Sequence, residues 1–294
     1  MRRALILLAA AGLAAAALGW WLTAPARLAP DVFDGITGDV TQGAAVFTAA
    51  GCASCHHAPG ATGEAALVLA GGQRFDSDFG TFLAPNISPH PEAGIGGWNL
   101  AQFADAVQRG VSPEGAHLFP AFPYTAYARM TPQDVANLWA YLQTLPASDT
   151  ASLPHEVGFP FNIRRGVGAW KLLFFRPDWV RPADTPQLER GRYLVEALAH
   201  CGECHTPRNA LGALDTGRWL AGAPNPNGKG EIPALIPNAL DWAAQDIAYY
   251  LETGFTPDFD SAGGHMAEVV ANFGRLTAAD REAVAAYVKA LPAP

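Results

Sequence analysis

All four cysteines of the chain lie in two short strings, Cys52-Ala53-Ser54-Cys55-His56 and Cys201-Gly202-Glu203-Cys204-His205. Two thiols separated by two residues fall on one side of a helical turn, where they can add to the two vinyl groups of a haem. The adjoining histidine then meets the iron from the proximal face. A thioredoxin-like pair needs no histidine after it, and a zinc site needs further ligands at matched spacing. The chemistry expected is two covalently attached c-type haems, held through Cys52, Cys55, Cys201 and Cys204, with His56 and His205 as metal ligands.

A six-coordinate electron-transfer haem needs a second axial ligand, commonly a methionine sulfur, which favours the reduced state. Besides Met1 the chain has two methionines, one after each string: Met130 and Met266. A methionine is ordinarily soft core filler, but one per half, each upstream of a closing helix, assigns both as sixth metal ligands. Their placement differs: Met130 immediately precedes Thr131, whereas Met266 lies 11 residues before Thr277. His117 and His265 are rivals, and His117 stays open as an alternative to Met130. His57 and His200 flank the strings as solvent-edge or packing residues. Asn86, Trp98, Trp219 and Asn238 are candidate donors to haem propionates, and Arg164, Arg165 and Lys171 are candidates to neutralise an anionic cofactor group; packing and ordinary surface charge explain them equally well.

The elements that must position these residues repeat. Gly43-Ala-Ala-Val-Phe leads into the first string and Gly191-Arg-Tyr-Leu-Val into the second; Leu-Ala-Gly follows each, at 69–71 and 220–222. A helix from Leu100 to Arg109 ends at Gly110, and one from Trp242 to Thr253 ends at Gly254. Each half then closes on a helix capped by threonine, Thr131-Pro132-Gln133-Asp134 and Thr277-Ala-Ala-Asp280. Apolar residues recur at helical spacing in both, Val135, Leu138, Trp139, Leu142 and Val284, Tyr287, Val288, Leu291. Strand signals are weak, so the fold expected is all-α. It has an N-terminal membrane anchor or signal segment at 1–27, helical domains at 35–146 and 187–294, and a linker at 147–186. The linker is too apolar around Phe159-Pro-Phe161 and from Trp170 to Phe175 for a free tether, and is expected to wrap both domains.

Arg2 and Arg3 precede 19 uncharged residues, Ala4 to Leu22, closed by Trp20 and Trp21. At ~1.5 Å per residue such a helix spans close to the ~30 Å hydrocarbon core, with arginines cytoplasmic and tryptophans at the far interface. Ala24-Pro25-Ala26 matches a cleavage site loosely, so the reading favours an uncleaved anchor. The remainder is expected on the periplasmic side of the inner membrane, or soluble in the periplasm if the segment is cleaved. A formal charge of −8 over 294 residues argues against a nucleic-acid partner. Residues 31–150 carry a net −8 and residues 187–294 a net −5, whereas 151–186 carries +2. Acidic lobes about a basic connector suit a redox partner with basic patches.

Taken together, the strings, Pro85-Asn86-Ile87-Ser88-Pro89 through Gly94-Ile95-Gly96-Gly97-Trp98, Pro120-Ala-Phe-Pro-Tyr-Thr-Ala-Tyr127 ahead of Met130, and His200 through Asn209 resemble a known family. It is that of membrane-bound dihaem cytochromes c related to the cytochrome subunit of bacterial periplasmic alcohol dehydrogenases. The resemblance covers roughly 35–294 and implies two class I cytochrome c folds with His/Met ligation. It also implies electron passage from a dehydrogenase or small cytochrome toward quinone or a terminal oxidase. Relatives typically carry three haems where this chain has two strings, and some place a methionine where this chain has Phe122. The function expected is electron transfer without substrate chemistry; the alternative is a dihaem peroxidase-like or other haem oxidoreductase, which needs an open distal position.

Overall fold

The computed structural model describes residues 1–226 and 230–292. Helix α1 (Arg2–Leu22) has a mean hydropathy of 2.1 and none of its residues is buried. The first lobe runs α2 (Val40–Ala49), α3 (Cys52–His56), a hairpin of β1 (Arg74–Ser77) and β2 (Gly80–Leu83), α4 (Leu100–Arg109), the single turn α5 (Tyr124–Tyr127) and α6 (Pro132–Leu142). A linker helix, α7 (Arg164–Phe174), follows. The second lobe runs α8 (Pro186–Arg192), continuing as a π turn through Leu198, then α9 (Gly202–His205), the short pair β3 (Ala223–Pro224) and β4 (Glu231–Ile232), α10 (Ala244–Thr253), α11 (His265–Phe273) and α12 (Ala278–Lys289).

Local chemistry sets the helix ends. Asp39, Thr131, Thr185 and Thr277 each accept a hydrogen bond from a backbone N–H of the first turn, satisfying a donor that would otherwise be orphaned. Asn99 and Gln102 form a reciprocal capping box on α4. Gly110 and Gly254 end α4 and α10 at φ +59° and +80°, a left-handed turn that costs glycine no Cβ clash.

In each lobe the first and last helices cross at a glycine. A Cβ on Gly43 would stand 2.0 Å from the Asn137 carbonyl oxygen of α6, and one on Gly191 would stand 2.0 Å from that of Ala283 in α12. Backbone therefore lies on backbone at both crossings. Val46, Phe47, Val135, Leu138 and Leu142 fill the core of the first lobe; Leu194, Val195, Leu198, Val284, Tyr287 and Val288 fill that of the second.

The expected all-α architecture holds for the body of both lobes, and the two hairpins depart from it. β1 pairs with β2 in antiparallel register, Arg74 opposite Leu83. Linker residue Glu156 adds itself to this edge, exchanging two backbone hydrogen bonds with Thr81 (3.1 and 2.9 Å) while its carboxylate grips Arg74 through both oxygens. These strands are too short to show an alternating pattern, and their pairing is completed by a residue more than 70 positions away.

The lobes meet at Glu196, which is fully buried. Its carboxylate accepts the N–H groups of Val180 (2.6 Å) and Arg181 (3.0 Å) from the linker and the Tyr287 hydroxyl from α12. The buried Arg129 of the first lobe stands 3.9 Å from it.

Candidate haem sites

Each attachment string begins where a helix stops. Gly51, at φ +63°, turns the chain out of α2 and into α3, and Cys201 opens α9 after the π turn. Both strings then close into a single helical turn, which brings the two thiols to the same side. The same backbone ladder surrounds each histidine. Gly71 N–H donates to the His56 carbonyl (2.7 Å) and Ile87 N–H to that of Leu69 (3.0 Å). In the second lobe Gly222 donates to His205 (2.8 Å) and Leu235 to Leu220 (2.8 Å).

The histidine rings are oriented alike. His56 Nδ1 lies 2.9 Å from the Pro85 carbonyl and His205 Nδ1 lies 2.7 Å from that of Pro233. A carbonyl can only accept, so Nδ1 carries the proton and Nε2 keeps the lone pair that binds a metal. Burial lowers the pKa of both rings, partly offset by those carbonyls, and so favours the neutral ligand form. None of the four cysteines is paired in a disulfide. Burial pushes Cys52 and Cys201 up to about 12 and Cys55 up to about 11, and raises Cys204 as well. A disulfide-exchanging pair works through a lowered thiol pKa, so this environment does not suit thioredoxin-like chemistry. Two thiols on one turn and an imidazole held by its Nδ1 fit a covalently attached haem in each lobe.

The structure sorts the remaining candidates. Met130 is buried at 3% exposure, with its carbonyl held by Gln108 Nε2 at 2.8 Å. Met266 is half-buried in the first turn of α11. Their positions differ in the repeat. Leu118 N–H donates to the Gly110 carbonyl just as Ala262 does to that of Gly254, and four residues beyond each comes Phe122 in one lobe and Met266 in the other. Met130, directly before the cap Thr131, stands instead where Leu276 precedes Thr277.

His117 Nε2 lies 2.9 Å from the Thr23 carbonyl, and its ring packs beside Gly168 of the linker helix, at the end of α1. The bridge from Val111 to His117 matches that from Phe255 to Ser261, so Ser261, not His265, is its counterpart. His265 is exposed at the start of α11. His200 packs its ring against Tyr127 (5.6 Å between centroids), and His57 bonds Gln73 and the Ala58 carbonyl.

Asn86 is corrected as a propionate donor: its amide nitrogen is spent on the Ser148 and Thr150 carbonyls (2.9 and 2.8 Å) and its oxygen on Ser88 N–H. Trp219 is buried with its ring against Gly202, where a Cβ would stand 2.1 Å from it. Trp98 is half-buried and Asn238 exposed. Arg164, Arg165 and Lys171 bond His117 O, Thr23 Oγ1, and the Arg109 and Gly110 carbonyls, fastening the linker to the first lobe and to the end of α1.

Sequence reasoning missed the residues that join the two sites. Thr125 Oγ1 donates to Glu203 Oε1 (2.9 Å) inside the second string, and Asn272 Nδ2 donates to Ser54 Oγ (3.2 Å) inside the first. Within the first lobe, the Tyr127 hydroxyl donates to the Ala50 carbonyl two residues before Cys52 (3.1 Å). The one signal available in the sequence was Glu196, a lone carboxylate in the apolar run Leu194-Val-Glu-Ala-Leu198.

The sequence profile of the cytochrome c family matches this chain twice, over residues 40–146 and 188–292. The chain is 57% identical to a diheme cytochrome c-type protein of Cereibacter sphaeroides over 294 residues, the whole of this chain and 99% of that one. It is 36% identical over 260 residues to the fructose dehydrogenase cytochrome subunit of Gluconobacter japonicus, covering 86% of this chain and 53% of that subunit. It is 34% identical over 272 residues to the alcohol dehydrogenase (quinone) cytochrome c subunit of Gluconacetobacter polyoxogenes, covering 86% of this chain and 56% of that subunit. The chain thus spans about half the length of these two dehydrogenase subunits. With two matched domains, two attachment strings and a full-length dihaem relative, it belongs to the cytochrome c family, as an electron-transfer member carrying two c-type haems.

Proposed function

We propose that the chain is a membrane-anchored periplasmic carrier that takes electrons from a dehydrogenase and passes them, haem to haem, toward quinone or a terminal oxidase, with no substrate chemistry of its own. The observation that carries this reading is the approach of the two attachment strings across the lobe interface, with Ser54 and Glu203 each bonded to the opposite lobe. Each bound haem supplies one-electron exchange between ferrous and ferric iron. Cys52, Cys55, Cys201 and Cys204 would hold the two groups, and His56 and His205 would offer Nε2 to the irons. The Pro85 and Pro233 carbonyls keep each ring in one tautomer and orientation through electron gain and loss. Met266 would supply the sixth ligand of the second haem and Met130 that of the first. His117, bonded to Thr23, leaves Met130 without a histidine rival. Two such methionine ligands would close the coordination that a peroxidase needs open.

The relatives named as dehydrogenase cytochrome subunits support a dehydrogenase as electron donor. The acidic lobes suit a partner that presents basic patches. The apolar α1 supports anchoring in the inner membrane, and its end is built into the body. Arg27 pairs with the buried Asp105 (3.0 Å), and Leu28 N–H bonds the same carboxylate (2.8 Å).

The test is the ferric absorption spectrum of the haem-loaded protein, followed at the weak far-red band of sulfur-to-iron coordination. Two equivalents of the band are expected, with Met130→Ala and Met266→Ala each removing one. A high-spin haem in the unmutated protein overturns the closed-ligation carrier. A full band after Met130→Ala overturns that residue's assignment alone.

A further inference from the structure

Helix α7 is built inside out. Its cations face the body: Arg164 donates to the His117 carbonyl (2.9 Å), Arg165 to Thr23 Oγ1 (3.0 Å), and Lys171 to the Arg109 and Gly110 carbonyls (2.6 and 2.8 Å). Val167 and Gly168 are buried on that same side. The side turned outward carries Gly166, Ala169, Leu172 and Leu173, at the three- and four-residue spacing of one helical face, without a charge. Leu172 is 50% exposed and Leu173 60% exposed. The chain entering the helix continues the patch with Phe159, Phe161 and Ile163, all exposed, and Trp170 Nε1 bonds the carbonyl of the exposed Leu211 (2.9 Å). Water is a poor solvent for a contiguous surface of this kind, and soluble proteins rarely display one without a partner.

We propose that this face lies in the interfacial layer of the bilayer that α1 crosses, so that the linker is a second membrane contact beside the anchor. The inference rests on the reading of α1 as an anchor. What assigns a lipid surface as the occupant is continuity. The Arg165 guanidinium stacks over the Trp20 ring at 4.0 Å, and its Nη2 also bonds the Trp20 carbonyl. Trp20 and Trp21 close the apolar helix and sit where indole rings prefer the headgroup level. Helix α7 is therefore held beside the end of α1, with its apolar face turned away from the body.

Charge agrees with this placement. Both lobes are acidic, and the linker is the basic stretch between them. An anionic membrane surface repels the acidic lobes, and the linker is the stretch it does not repel. The apolar outer face adds the buried area that a single lying helix needs for interfacial binding. Two contacts fixed to one rigid lobe set the tilt of the molecule on the membrane, which an anchor followed by a free tether would not.

The test uses the full-length dihaem protein in vesicles of phosphatidylethanolamine and phosphatidylglycerol that carry a diazirine on one acyl chain. After photolysis, adducts are mapped by mass spectrometry. Adducts are expected in α1 and again between Phe159 and Leu173, with none at the exposed Glu282 of α12. A variant with Leu172→Glu and Leu173→Glu is expected to keep both haems and the α1 adducts while losing those of the linker. Adducts in α1 alone overturn the proposal and leave a protein partner to cover the face. Absence of adducts from α1 overturns the anchor reading, and this inference with it.

Discussion

Asp280 shows how much a single carboxylate does in this chain. Burial alone would raise its pKa, but hydrogen bonds from Arg190 and Thr277 outweigh it and hold the group below the ordinary carboxylate range. Its Oδ1 lies 2.7 Å from Arg190 Nε, linking α12 to α8. A folded pKa below the unfolded value adds stability at neutral pH, which is lost as pH falls through the folded value. Asp280→Asn is therefore expected to cost on the order of 1 kcal/mol at pH 7, as for a favourable partly exposed pair. It should also flatten the fall in stability below about pH 4, where free aspartate titrates. Equilibrium unfolding of both proteins between pH 3 and 7 checks this; an unchanged acid limb contradicts it. At this scale the haem chemistry was legible, because thiols and imidazole sit within five consecutive residues. The duties of Asn86 and His117 were not, because each is settled by a carbonyl far along the chain, Ser148 or Thr23.

Helices were read well where one face is buried and the other wet. The span Leu100–Arg109 stands as expected, and the expected Trp242–Thr253 begins at Ala244, where Asp246 bonds back to the Ala243 N–H. The linker helix α7 escaped notice because its pattern is inverted, with cations inward on carbonyls and leucines outward. Helix α11, beginning at His265, was also unforeseen; no capping side chain marks its start at Gly264. The glycine crossings carry the prediction at this scale. Gly43→Ala drives a methyl into the Asn137 carbonyl, and Gly191→Ala drives one into that of Ala283. Backbone cannot yield as a flexible side chain can, so each is expected to cost about 1–3 kcal/mol or more by overpacking. The effect should fall on one lobe only. Denaturation followed through each haem's absorbance reads it, and equal losses at both haems for either variant would contradict independent crossings.

The two lobes are joined into one molecule through Glu196, whose partners come from the linker, α12 and, at 3.9 Å, Arg129 of the first lobe. Removing one member of such a buried set leaves the others without a counterpart, a loss of about 3–5 kcal/mol. Glu196→Ala is expected to loosen the lobes. Small-angle scattering should show a larger radius, and electron equilibration between the haems after flash reduction should slow. Glu196→Gln, which keeps an acceptor for the linker N–H groups, should fall between the two. If Glu196→Ala equilibrates as fast as the parent, the interface is not what holds the strings together.

The sequence by itself determined that two haems are attached, that each belongs to a repeated helical lobe, and that an apolar segment precedes them. Those properties depend on adjacent residues and on helical periodicity, which are local. Tertiary structure alone decided that Pro85 and Pro233 orient the His56 and His205 rings, that Phe122 rather than Met130 stands opposite Met266 in the repeat, and that the linker turns its leucines outward. It also decided that each string bonds to the opposite lobe. Each of these depends on which distant backbone group comes within hydrogen-bonding or packing reach once the chain is closed, and neither spacing nor composition carries that information.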